Sequence, residues 1–144
     1  MQTTTIEENK RIARRVPEEI ATERNMDIVE EVFAEDFVEH GFIGQTIESR
    51  EEETEQMKLI HLAFPDFEAE VLDIIGEDDT VAMRVKLSGT HKGPFMGIDP
   101  TDAPVDVRGN AMHRVGDGRI AETWATWNFL GVLQQIGAVE PPME

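Results

Sequence analysis

The strongest constraint on this chain is a change of period at its middle, from helical spacing before Pro65 to strict alternation after it. Val81, Met83, Val85, Leu87 and Gly89 alternate with Ala82, Arg84, Lys86 and Ser88. Val105, Val107, Gly109, Ala111, His113 and Val115 alternate with Asp106, Arg108, Asn110, Met112 and Arg114. Asp117-Gly118 is a two-residue hairpin signal leading into a strand from Arg119 to Phe129. A less regular strand, Phe67 to Ile75, joins the next through Glu77-Asp78-Asp79. The expectation is a meander of four long antiparallel strands.

The first half carries helix signals. Thr5 and Glu8 have capping-box spacing, followed by Ile6, Ile12, Ala13, Val16 and Ile20 as an apolar stripe. Pro17 removes a hydrogen bond from that helix, so a kink or break is expected there. A second helix is expected from Asp27, with Glu30 three residues on and Ile28, Val29, Val32 and Phe33 as its buried face. A third starts at Ser49 with Glu52 as box partner, carries Met57, Ile60, His61 and Phe64, and stops before Pro65.

Helices first and strands second argue for α+β rather than alternating α/β. A long twisted sheet with helices on one face curls and leaves a concave space, so a cone with an internal pocket is expected. Residues 1–144 are enough for one core and too few for two, hence a single domain. The stretch from Lys92 to Pro104 reads as a long loop at the rim, and only the tail from Glu140 onward looks loose.

Thirty Asp plus Glu stand against 13 Lys plus Arg, a formal net charge of -17. Such a field repels phosphate backbones and anionic lipid, which argues against nucleic-acid and membrane partners. Only four of the 13 basic residues are Lys, and the acidity fits a surface adapted to high salt. Without cysteine there are no disulfides, thiolate nucleophiles or cysteine metal sites. The N-terminus lacks the apolar core of a signal peptide, and no apolar run approaches the ~20 residues that span a bilayer. A cytoplasmic location is the expectation.

Four histidines occur. His61 lies on the stripe of the third helix, His91 and His113 on the apolar parity of their strands, and His40 after Phe37-Val38-Glu39. A structural histidine is the ordinary reading of each; several near a concave face point to a polar pocket. No H-x-H or HExxH spacing supports a metal site. On the last strand Ile120, Glu122, Trp124, Thr126 and Asn128 share one parity. That face is either a solvated side or a pocket wall in which Trp124 gives apolar area and Asn128 a fixed hydrogen bond. No catalytic-triad spacing, phosphate loop or dinucleotide fingerprint is present, so spacing alone names no reaction.

Several segments, in order along the chain, resemble the SnoaL-like polyketide cyclases, also called ester cyclases, of the nuclear-transport-factor-two-like superfamily. They are Glu8-Asn9-Lys10, Ala34-Glu35-Asp36-Phe37-Val38-Glu39-His40 and Ala63-Phe64-Pro65-Asp66-Phe67. Then come Gly89-Thr90-His91-Lys92-Gly93, Phe95-Met96-Gly97-Ile98 and Asp117-Gly118-Arg119-Ile120-Ala121-Glu122-Thr123-Trp124. Leu130-Gly131-Val132-Leu133-Gln134-Gln135-Ile136-Gly137 closes the match. The resemblance implies a cone-shaped α+β barrel, commonly a homodimer, with a small-molecule pocket lined by the concave sheet. It implies ring closure by intramolecular aldol condensation without metal or cofactor. An Asp four residues after the Trp acts as acid/base there, helped by pocket histidines. His40 and His113 match such histidines, and the Asp position is Asn128. Pro17 replaces a residue that is typically aromatic.

An amide cannot take and return a proton near neutral pH, although it can donate a hydrogen bond to an enolate oxygen. The first functional expectation is therefore a cofactor-free cyclase or isomerase acting on a small carbonyl compound. His40, His113 and Asn128 are its candidate catalytic residues, and Trp124, Glu122 and His91 its candidate substrate contacts. The alternatives are a non-catalytic small-ligand-binding protein and a dimerisation module of the same fold.

Overall fold

A computed structural model describes residues 3–42 and 44–140, the side chain of Phe42 excepted; the tail expectation at residues 141–144 lies outside them. Both expected N-caps form. Thr5 Oγ1 accepts from Glu8 N at 3.1 Å to open α1 (Ile6–Arg15), and Ser49 Oγ accepts from Glu52 N at 3.1 Å to open α3 (Arg50–Ala63). At Pro17 the helix widens instead of breaking, running on as a π-helix from Val16 to Thr22. The Ala13 carbonyl, which Pro17 cannot bond, is taken by Val16 N–H, and the wider turn removes the ring's clash.

The expected second helix is reduced to a 3₁₀ turn (Met26–Ile28) and one α-turn, α2 (Val29–Val32). From Phe33 the chain is extended as β1 (Phe33–Phe42), followed by a short β2 (Gln45–Ile47). Pairing overrides the local helical spacing here, because β1 finds a ladder along the last long strand. The remaining strands are β3 (Glu68–Glu77), β4 (Thr80–Thr90), β5 (Pro104–Gly116) and β6 (Arg119–Trp127). Asp117 and Gly118 both have positive φ, 53° and 79°, the signature of the twist-matched two-residue hairpin. The last strand stops two residues short of the expected end, and α4 (Phe129–Gln135) follows.

The four-stranded meander is thus part of a six-stranded curved sheet in the order β2-β1-β6-β5-β4-β3. All pairings are antiparallel except β1 with β6, which is parallel. The sheet does not close into a barrel; β2 and β3 are its edges. The fold is α+β, with the N-terminal helices packed on the concave side. Ile20, Val32, Phe33, Phe37 and Ile120 form one buried cluster beneath them, and Ala63, Phe64, Phe95, Val107 and Val132 another under the rim loop. Among the described residues no helix is long and apolar enough to cross a membrane.

Candidate active site

Strand alternation decides what enters the concave space. On β5, Val105, Val107, Ala111 and His113 face inward; on β6, Thr123, Ala125 and Trp127 do. Val115 pairs with Ile120 and Arg114 with Glu122, so Ala121 is an extra residue that shifts the parity of β6. Glu122, Trp124 and Thr126 therefore lie on the convex side, although buried Ile120 shares their parity in sequence.

The inner face, helices and rim loop enclose a cavity of about 120 Å³ with an almost wholly apolar lining. One end is aromatic: Phe64, Phe95 and Phe129 pack in a chain, with ring centroids 5.3 Å and 6.4 Å apart. Trp127 lies flat across Gly109, its register partner, where a Cβ would collide with the indole. At the other end Glu39, Thr123 and His113 stand side by side on three neighbouring strands, with Glu53 of α3 above them. Two strand spacings put Glu39 and His113 roughly 10 Å apart at the backbone. Gly109 lies four residues before His113 on β5, roughly 14 Å away along the strand.

This polar end carries unusual electrostatics. Glu39 and Glu53 are 7% and 8% exposed and hydrogen-bonded to each other. Burial, then the charge of Glu53, pushes Glu39 up to about 9, and burial pushes Glu53 up to about 7. Their mutual bond raises Glu39 and lowers Glu53, as a proton carried on Glu39 and donated to Glu53 would do. Glu53 Oε2 is buried without a partner. Burial holds His113 down to about 4, so it is neutral at physiological pH. Its Nδ1 lies 2.7 Å from Thr123 Oγ1, and its Nε2 has no partner. Among the described residues no Lys or Arg lines the cavity. Among the described residues no three His, Asp or Glu side chains converge as a metal site.

The residues singled out in the sequence are dispersed. His113 faces the cavity. His40 lies on the convex side, with Nε2 2.6 Å from Glu122 Oε2 and its ring stacked on Trp124 at 5.6 Å. Glu122 also accepts from Arg114 at 3.2 Å, and these two bonds hold it below the usual carboxylate range. His91 is fully buried under the rim loop beside Phe64, with Nδ1 3.0 Å from Thr101 Oγ1, and is not on the cavity wall. Asn128 is the N-cap of α4, its Oδ1 accepting from Gly131 N at 2.9 Å, and is also off the wall.

Sequence reasoning missed Glu39 and Glu53, and signals for both existed. Glu53 extends the α3 stripe backward, since 53, 57, 60 and 64 follow helical spacing. Glu39 shares strand parity with Phe37, the most deeply buried aromatic of β1.

Comparison with known proteins agrees with this architecture. Residues 11–136 match the family model described as SnoaL-like polyketide cyclase. IdmH of Streptomyces antibioticus, a candidate polyketide cyclase, is 30% identical, with a TM-score of 0.79 over 90% of this chain and 98% of that one. AclR of Streptomyces galilaeus, a candidate hydroxylase, is 26% identical, with a TM-score of 0.84 over 95% and 85%. A SnoaL-like polyketide cyclase candidate from Jannaschia sp. CCS1 shares the fold at 24% identity, with a TM-score of 0.85 over 99% of both chains. No curated protein matches the sequence. With its family model spanning residues 11–136 and its fold shared with a relative 30% identical to it, the chain belongs to the SnoaL-like polyketide cyclase family.

Proposed function

We propose that the protein is a cyclase or isomerase that performs acid/base chemistry on a small carbonyl compound held in the concave cavity. The observation that carries this reading is the division of the cavity into an aromatic end and a polar end. The aromatic end takes the apolar body of a ligand, and the polar end meets its oxygen. An apolar cavity of about 150 Å³ takes up benzene, so the 120 Å³ here suits a one-ring compound.

His113 is the retained candidate from the sequence. As a neutral imidazole it polarises a carbonyl without bringing a charge into the cavity. When the Thr123 hydroxyl donates to Nδ1, Nε2–H is left free to donate to the ligand oxygen. Asn128, at the position where the family resemblance puts an Asp, serves here as a helix cap. His40, Glu122 and Trp124 belong to the convex face. His40 and Trp124, with exposed Ile75 and Met112, line a groove of about 570 Å³ there, and we assign that face to a homodimer contact.

The test uses acetophenone and cyclohexanone in heavy water, with loss of the proton α to the carbonyl followed by NMR. The wild-type protein is expected to exchange that proton faster than buffer, and Ala111→Phe, which fills the cavity, to abolish the gain. Saturable quenching of Trp127 by acetophenone in a Trp124→Phe background, with no exchange, would make the protein a ligand carrier instead.

A further inference from the structure

We infer that Glu39 and Glu53 form a proton-sharing pair that is the acid and base of this site, in place of the aspartate missing at Asn128. The inference rests on the reading of the cavity as a site for carbonyl chemistry. Three observations of geometry support it. Both carboxyls line the same cavity, from a strand and from the facing helix, and bond to each other. Glu53 Oε2 is buried with no donor from any other group, as expected of an oxygen that faces a second carboxyl. Among the described residues no cationic side chain lines the cavity to hold both carboxyls ionised. Among the described residues His113 is the one other titratable group on the wall, and it is neutral.

Two carboxylates in an apolar site cannot both ionise cheaply, and such a pair keeps one proton between them. That state has a base and an acid side by side at neutral pH. In the forward step the Glu53 carboxylate takes the proton from the carbon next to the carbonyl. The C–H electron pair becomes the new C=C bond, and the C=O π pair moves onto oxygen. Glu39 gives its proton to that oxygen, so the product is the neutral enol. The pair ends with Glu53 protonated and Glu39 ionised. Its proton count and net charge are unchanged, and no bulk proton is required. His113 Nε2–H donates to the oxygen and orients it, while the Thr123 hydroxyl stays bonded to Nδ1. Reprotonation at carbon gives isomerisation or exchange; attack of the enol carbon on a second carbonyl of the same molecule gives ring closure.

The raised carboxyls set an expected pH window for the site. With both protonated there is no base, and with both ionised there is no acid, so activity is confined between about 7 and about 9.

The decisive experiment follows acetophenone exchange in heavy water for the wild type, Glu39→Gln, Glu53→Gln and His113→Gln. Each glutamine keeps the shape of a neutral carboxyl, and circular dichroism checks that every variant is folded. Loss of exchange by about 100-fold or more in each glutamate variant is expected, with a bell-shaped wild-type pH profile. Infrared difference spectra at about pH 8, between the two titrations, should show a protonated-carboxyl band in the wild type that Glu39→Gln removes. Exchange retained within about tenfold in both glutamate variants, but lost in His113→Gln, would overturn the pair and leave the proposed function standing. A folded wild type with no exchange on either ketone would overturn both.

Discussion

Glu39 and Glu122 sit on neighbouring strands, one residue out of register, and the pleat sends them to opposite worlds. Inside, burial and a second carboxyl raise Glu39; outside, His40 and Arg114 lower Glu122. The histidines repeat the contrast. His113 is buried and held neutral, whereas His40 is half exposed, bonded to Glu122 and stacked on Trp124. Side-chain type does not assign a role here. The parity of the strand does, by choosing whether a group meets solvent and counter-ions or an apolar cavity.

The sharpest way to break the comparison is to neutralise the inner carboxyls. Unfolded glutamates titrate near pH 4.3, but the folded pair holds its protons up to about 7 and about 9. As pH rises the unfolded chain ionises first, so wild-type stability falls across that window. The double variant Glu39→Gln/Glu53→Gln is expected to escape this loss, gaining on the order of 10 kcal/mol over the wild type by pH 9 relative to pH 4. Urea unfolding at a series of pH values measures it; parallel curves would mean that the carboxyls are not held protonated.

Next in size is the tryptophan pair. Trp127→Ala removes the ring packed over Gly109 and is expected to cost about 4 kcal/mol. Trp124→Ala, on the exposed face, should stay within about 1 kcal/mol per monomer while shifting a dimer toward monomers in light scattering. Equal costs would erase the distinction between the faces.

The third test uses acid. His113 is protonated near pH 6.5 when unfolded but only near 4 when folded. Its contribution is present above the unfolded value and is lost as pH falls through that window, about 3 kcal/mol in all for the wild type. His113→Gln should lack this acid loss, and an unchanged acid limb would place the imidazole in contact with water.

The smallest effect belongs to the outer surface. Glu122→Gln should barely move the melting temperature, because its partners are solvated and screened. If the acidic surface is salt-adapted, as we propose from the net charge of -17, melting should rise between ~0.1 M and ~2 M potassium chloride. Equal stability in both would reject the adaptation.

What was legible in the sequence follows from the range of the forces involved. The N-caps at Thr5 and Ser49, the hairpin at Asp117-Gly118 and the alternation of β4 and β5 are local, and each forms. The strand β1 was hidden because Ile28, Val29, Val32 and Phe33 imitate a helix face, and only distant β6 supplies its partner. The extra residue Ala121 inverts the parity of β6, so a face count running from Ile120 puts Trp124 with the core instead of Trp127. Glu39 lies in a run of acids that reads as solvated surface. Nothing nearby in the chain announces that Glu53 will close over it.

The parallel pairing of β1 with β6 also orders events in time. Residue 39 meets residue 123 only after nearly the whole chain is available, so the polar end of the cavity is completed late. Before that, both carboxyls are hydrated and ionised at neutral pH, as in any unfolded chain. When β6 docks they pass into an apolar surround and must capture a proton from the medium. Folding of this protein is thus a proton-consuming reaction, and a pH-indicator dye in weak buffer should record the final docking step as a burst of alkalinity.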